Sequence, residues 1–599
     1  MLDHYRTPFS CTPLLCILAT LSLCWGNAAK AQNIELDGTT GTQRPLSGPD
    51  YTIRQTDGRT VGQHLFQSFS NFSLDPGESA TFESAGNIRT IFSRVTGLQS
   101  SKVEGLIKTQ SPNVNLFFIN PRGISFGQDA GLEVGGSFIA STANSIVFSR
   151  NDRPFSAIET QNIPRLNIST PVGLQMGAKP APISNISTRG VPVFIPGLPI
   201  PIFLPFGLEV SSGNTLALLG GRVKIEDGGL LTAPGGRIEV GSVANDFVGL
   251  TPALYGWSFD YSGVRNFRDI TFDRNVSIST PSPSMDVSSG VIRLKGRNIL
   301  LQNNSRISSL GADGVGGGLI SIDAQRLTLK EKSDVSTNNF GNSSSESGGV
   351  SIVADIVILD DFSSLQAQQL GAGPGGNINI SGTKLLLLLN NSRISTNASG
   401  FSEGGNINID SDIIFAPPNA NGDITANAEN GPGGQIAITT QGVFGLAVRD
   451  ELTDFSDITA ISINDPSLNG RVTINTPGTD PSDSTAELSE KIAIPPKLAQ
   501  GCRAGQALGN GQFANVGRGG LPDGPTTVRS VPAVWDDMRP PQELQQASSA
   551  LDRLILPSAE APASSIVEAK GWKMTPQGMM LVGPEQTPST IALAPVGGC

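Results

Sequence analysis

The chain has 599 residues, a formal charge of -11 and a pI near 4.9; only 16% of residues are charged and 70 are glycine. An acidic chain without clustered Lys or Arg is a poor partner for nucleic acid. Val and Ile alternating with Ser, Thr and Asn, with no long Leu/Ala/Glu/Lys stretch, exclude a helical protein and indicate strands and turns.

Residues 1–31 read as a signal peptide. Arg6 precedes the apolar run LLCILATLSLCW (Leu14 to Trp25), and AAKA ends at Ala31 with small residues at Ala29 and Ala31. Twelve apolar residues fall short of the ~20 that span a bilayer as a helix. Removal of the signal takes three cysteines with it and leaves Cys502 and Cys599, too few for a disulfide framework.

NLFFINPRGISFG (Asn115 to Gly127) places four apolar residues before an Asn-Pro turn and then resumes. Asn120 opening, Pro121 at the second corner and Gly123 closing predict a type I turn between two strands. VPVFIPGLPIPIFLPFGLEV (Val191 to Val210) is the most apolar later stretch, but its five prolines exclude a helix.

From residue 220 a Gly-Gly step recurs before a short alternating strand: at Gly220, Gly235, Gly317, Gly348, Gly375, Gly404 and Gly433. The last five starts lie 31, 27, 29 and 29 residues apart, and NNSRISS at Asn303 returns as NNSRIST at Asn390. Periods of this size mean stacked units. Apolar residues every second position make the unit about three strands, so the prediction is an all-β chain built as a right-handed parallel β-helix. Its Ile, Val and Leu form the core, Gly supplies positive φ at corners, and Asn and Ser form ladders along the axis. Such a stack needs a cap on its open edge, expected from the N-terminal part.

Six ordered phrases resemble the secretion domain of the filamentous-haemagglutinin family, the TpsA-type exoproteins of two-partner secretion. They are GQHLFQSFSNFSL (Gly62 to Leu74), IRTIFSRVTG (Ile88 to Gly97), SKVEGLI (Ser101 to Ile107), NLFFINPRGISFGQDAGLEVGGSFIASTA (Asn115 to Ala143), TPVGLQMGAKPAPI (Thr170 to Ile183) and LLTAPGGRIEVGSVA (Leu230 to Ala244). The resemblance implies that Asn115, Asn120, Pro121, Gly123, Phe126, Gly127, Arg94 and Gly97 carry the secretion motif. It departs from the family at Arg122, where Asn is usual, and in the Pro-rich insertion at 191–205. Near the C-terminus, CRAGQALGNGQFANVGRGGLPDGP (Cys502 to Pro525) and EAKGWKMTPQGMMLV (Glu568 to Val582) resemble the closing module of some large members.

The implied organisation is a signal peptide over 1–31, a secretion domain over 32–250, β-helical repeats over 251–475 and a partly disordered Pro/Ser/Gln-rich region over 476–599. The implied partner is an Omp85-type outer-membrane transporter (TpsB), and the implied role is that of a secreted surface adhesin. Cys502 and Cys599 either close a 97-residue span, worth ~4–5 kcal/mol in an entropic account, or remain separate thiols. Two other functions stay open at this level: a β-helical lyase or glycosidase, and a binder of a haem carrier. The candidate acids are Asp355, Asp360 and Asp361, with Asp410 and Asp412, and their expected role is as solvated corner carboxylates. His64, inside a secretion phrase, is the one histidine after the signal and is expected to be structural. No enzyme activity, cofactor or metal site is predicted.

Overall fold

The computed structural model describes residues 33–477, except 149–152, 160–169, 194–201, 254–255, 285–286, 312–315, 341–347 and 372, together with 571–575 and 578–582. The chain divides into two units, Met1–Ile492 and Ala493–Cys599. In the second, Gly571–Thr575 pairs antiparallel with Gly578–Val582, within the second of the two C-terminal phrases. Residues 1–31, expected to be a signal peptide, and Cys502, Cys599 and GRGGLP lie outside the described residues.

The first unit is a parallel β-helix with three faces. The first runs from His64–Phe72 through Thr90–Val95, Asn115–Ile119 and Phe138–Ser141 to Thr215–Gly220, Arg237–Ser242 and Val291–Lys295, every neighbour parallel. On this face Ile292, Ile320, Val350, Ile378, Ile407 and Ile436 sit in register, in steps of 28, 30, 28, 29 and 29 residues. All six are 0–1% exposed. At ~25 cal/mol per Å² of apolar area, this continuous column is the main stabilising element. The strands Leu319–Leu329, Gly349–Leu359 and Ile378–Leu388 each cross two faces, while the third face uses three-residue strands such as Arg306–Ser308 and Arg393–Ser395.

The N-terminal edge is capped, as expected. Ile34–Asp37 pairs antiparallel with both Gln43–Pro45 and the outer edge of His64–Phe72, and Arg59–Val61 folds back antiparallel on the same strand. Backbone groups that would otherwise template another chain are thereby bonded.

Glycine does a different job from the one its repetition suggests. Of the seven Gly-Gly steps only Gly235 has a left-handed φ, +56°. The others are forced by proximity: a Cβ on Gly318, Gly348, Gly376, Gly405 or Gly434 would fall 1.7–2.2 Å from the carbonyl oxygen of the glycine one coil earlier. Gly290 and Gly470 extend this column without a Gly neighbour before them. Amides turned out of the ladder bond within their own coil instead, as from Gly405 N to Thr396 O at 2.8 Å and Gly434 N to Ala426 O at 2.7 Å.

The left-handed corner lies between the second and third faces and is made by consecutive non-glycine residues. Arg274–Asn275, Asn303–Asn304, Glu331–Lys332, Asp361–Phe362 and Asn390–Asn391 all have φ between 46° and 63°. The second amide of each pair donates to the next coil, for example Asn304 N to Glu331 O at 2.7 Å and Asn391 N to Ala420 O at 2.7 Å. Side chains add an amide ladder, Asn304 Nδ2 to Asn275 Oδ1 at 2.9 Å. The repeated NNSRIS phrase is therefore this corner followed by a third-face strand.

Candidate functional site

A second hydrophobic core lies outside the coil on the first face and explains the run of four apolar residues at 116–119. Leu116 and Phe118 point into the column, while Phe117 and Ile119 point outward into a cluster with Phe66, Phe92 and Ile139. This outer cluster is covered by an antiparallel sheet of Ser145–Val147, Phe155–Ser156, Gly173–Gln175, Phe247–Ala253 and Gly256–Asp260. The sheet comes from two excursions that leave the first face, one after Ser141 and one after Ser242. The coil here therefore carries a core on each side of its first face. Antiparallel strands do occur there, as a lid over the coil and not as a sandwich.

At the end of the apolar run, the turn has the expected form. Gly123 N donates to Asn120 O at 3.1 Å, and Gly123 has φ +116°. Asn120 is fully buried. Its Nδ2 donates to Gln99 O at 3.1 Å and to Ser101 Oγ at 3.0 Å, and its Oδ1 accepts from Arg122 N at 2.9 Å. The side chain thus ties its own corner to the preceding coil, a role that requires one donor and one acceptor on a short stem. Pro121 fixes φ beside it, and Arg122 is exposed. Asn115 bridges in both directions, donating to Arg89 O at 3.3 Å and accepting from Ser137 N at 2.9 Å. Phe126 is buried edge-on against Phe138, and a side chain at Gly127 would collide with the Glu104 carboxylate.

Arg94 and Gly97 sit one coil earlier. Arg94 is 2% exposed on the outer side of the first face. Its Nε donates to Ser68 Oγ at 2.8 Å, one terminal nitrogen donates to Thr39 Oγ1 at 2.9 Å, and the other donates to Ser156 O. The guanidinium carbon lies 4.3 Å from the Phe155 ring centre. Asp37 is joined to it through hydroxyls, accepting from Ser68 at 2.6 Å and from Thr39 at 2.7 Å. One side chain therefore pins together cap, coil and covering sheet. Burial lowers its pKa to about 10 against the opposing pull of Asp37, so it stays charged at neutral pH. A Cβ at Gly97 would lie 1.9 Å from Ser70 O.

A second buried charge lies where the covering sheet ends. Glu239 is 1% exposed; its Oε1 accepts from Arg237 at 3.2 Å and its Oε2 has no hydrogen-bond partner among the described residues. Desolvation raises its pKa to about 7 although Arg237 and Arg293 oppose this. Tyr261, buried from the covering sheet, is raised well above its ordinary value by the same burial and by Glu239.

The remaining sequence candidates are scattered. Asp355 faces Lys384 at 3.4 Å, Asp360 accepts from Asn390 at 2.7 Å, and Asp412 accepts from Gln441 at 3.3 Å, each with a different partner. Asp361 occupies a left-handed corner and Asp410 is exposed. His64 packs its ring against Phe92 at 5.4 Å, a structural role as expected. The insertion at 191–205 includes an antiparallel pair, Gly190–Val193 with Ile202–Pro205. Sequence reading missed the covering sheet and the Asp37–Arg94 network. The available signal for the former was apolar residues on both sides of one strand, which mean burial on both faces.

Comparison with known proteins adds three findings. The family described as TPS secretion domain matches residues 32–294. Among solved structures, the HMW1 secretion domain from Haemophilus influenzae is similar, at 19% identity and a TM-score of 0.48. That match covers 72% of this chain and 98% of that one. No curated protein matches the chain significantly.

Proposed function

We propose that this chain, whose residues 32–294 match the TPS secretion domain, is a two-partner secretion exoprotein whose partner is an Omp85-type outer-membrane transporter, and that it acts outside as an adhesive surface protein. The family match over the capped coils is the observation that carries this reading. Export runs through an unfolded chain. The transporter recognises the N-terminal domain, and coils then form in succession on the cap outside. Each new coil buries about one rung of Ile, Val and Leu and bonds its backbone to the last. This free-energy gain on the far side opposes backsliding without a nucleotide. The repeats after the domain present an extended polar surface suited to binding.

The test has two arms. Deletion of 62–143 leaves the protein periplasmic, and residues 1–294 fused to an unrelated unstructured passenger carry it to the medium only when the transporter is co-expressed. Secretion of the deletion at the full-length level, or a passenger that stays behind, would refute the export reading.

A further inference from the structure

The corner between the second and third faces changes character near its C-terminal end. Asn275, Asn304 and Asn391 hold the second left-handed position in three coils and Lys332 in a fourth, but in the coil between Lys332 and Asn391 it is Phe362, with φ +60°. A bulky side chain there strains the backbone in a way that Asn largely avoids, yet Phe362 is 54% exposed. Nothing in the core requires Phe at that position. One and two coils further along the corner come Asn391 and Asn421, joined side chain to side chain at 3.2 Å. Beside them on the third face, Arg393 and Asp423 are register neighbours.

The opposite wall is the loop that follows Ala447–Val448. It is anchored from within: Asp457, fully buried, accepts from Thr453 N and Oγ1 at 2.6 and 2.8 Å and pairs with Arg449. Despite this anchoring, Leu452 and Phe455 are held 54% and 49% exposed. Between the two walls lies a cavity of about 610 Å³ lined by these residues, within the size range of small-ligand sites. Arg393 has no ion-pair partner among the described residues, unlike Arg306 on the same face, which has Asp334 at 3.7 Å. Asp423 accepts from Asp457 N at 3.0 Å, and desolvation raises its pKa to about 6.

We propose that this groove, from Phe362 to Phe455, binds a neutral oligosaccharide. Two flat apolar side chains suit the C–H faces of sugar rings. Two amides, a carboxylate and an unpaired guanidinium offer donors and acceptors for vicinal hydroxyls. One cation against Asp423 and Asp454, on a chain of net charge -11, disfavours an acidic sugar or a phosphate. Two coil steps separate Phe362 from Asn421, roughly 10 Å, the reach of a disaccharide. The assignment rests on the reading of the repeats as an adhesive surface and names where that surface acts and on what.

The test titrates the full secreted chain with gluco-, manno- and galacto-oligosaccharides and with oligogalacturonate and sialyllactose. Phe362→Asn, which installs the residue of the following coil, and Phe455→Ala are compared with wild type. One neutral series binds, each substitution weakens binding about tenfold or more, and circular dichroism and the amount secreted are unchanged. Absence of binding by every neutral sugar, equal binding by both variants, or tighter binding of the acidic sugars would overturn the proposal. Adherence of cells is scored separately: sugar binding without adherence sustains the groove and removes the adhesive reading. Adherence unaltered in both variants, with no sugar bound, does the reverse.

Discussion

Replacing Gly405 by Ala separates the two reasons a β-helix keeps a glycine. A Cβ there would stand 1.9 Å from Gly376 O and 2.9 Å from Thr396 Cβ, both inside the stack. Ordinary contact begins at 3.4 Å, so the coils must part locally by about 1.5 Å, a third of their ~4.8 Å spacing. That opens the bonds across this gap, from Gly375 N to Glu403 O at 2.9 Å and from Ile378 N to Asn406 O at 2.9 Å, and strands buried amides. With about 1 kcal/mol lost per bond and 1–3 for each orphaned group, the cost is about 3–5 kcal/mol. Gly382→Ala meets nothing closer than 4.0 Å but inherits φ +67°, which costs about 1 kcal/mol. Gly86→Ala meets nothing within 4 Å and has no left-handed φ; it should stay within about 0.5 kcal/mol of wild type. Solenoid perturbations are local, so amide hydrogen exchange along Ile407–Phe415 is the suitable assay. Gly405→Ala speeds exchange there by about a thousandfold. Equal effects of the Gly405 and Gly382 substitutions would refute the close-approach argument.

Two further outcomes follow from buried polar groups. Asn120→Ala removes the bonds to Gln99 O, Ser101 Oγ and Arg122 N and should cost about 2–4 kcal/mol. Asn120→Asp retains the acceptor but sets a carboxylate against Gln99 O, so it should do no better; a wild-type melting temperature for Asn120→Asp would contradict the bonding assigned to this corner. Glu239 has a folded pKa of about 7, above its ordinary 4.5, so its contribution is complete below pH 4.5 and is lost as pH rises through 7. Relative to wild type, Glu239→Gln should gain about 3 kcal/mol between those limits. Urea unfolding of both proteins across that range measures the difference, and a difference independent of pH would show that Glu239 is not held in a desolvated site.

The outer surface of the first face carries most of what distinguishes this molecule from a plain solenoid. Arg94 joins Thr39, Ser68 and Ser156, residues 55, 26 and 62 positions away in the chain. The covering sheet pairs Gly173 with Gly249. Cap, coil and lid are thus joined by contacts between residues far apart in the chain. The phrases from Asn115, Thr170 and Leu230 end or begin where the excursions leave and rejoin the coil, so their order along the chain follows the path of the covering sheet.

Local chemistry was sufficient for the repeat, the core column and the Asn120 corner. A period near 29 residues, alternation of Ile and Val with polar residues, and Asn-Pro-x-Gly each act over a few neighbouring positions and leave their mark in the chain itself. It was not sufficient for the reason behind the glycines, the identity of the left-handed corner or the second core. Gly376 and Gly405 are needed because two backbones nearly touch, and a corner that accepts Arg, Glu, Asp and Phe as well as Asn has no constant spelling. Arg94 is held by three groups from separate elements. Those requirements exist only once distant coils are stacked, so the folded chain decides them.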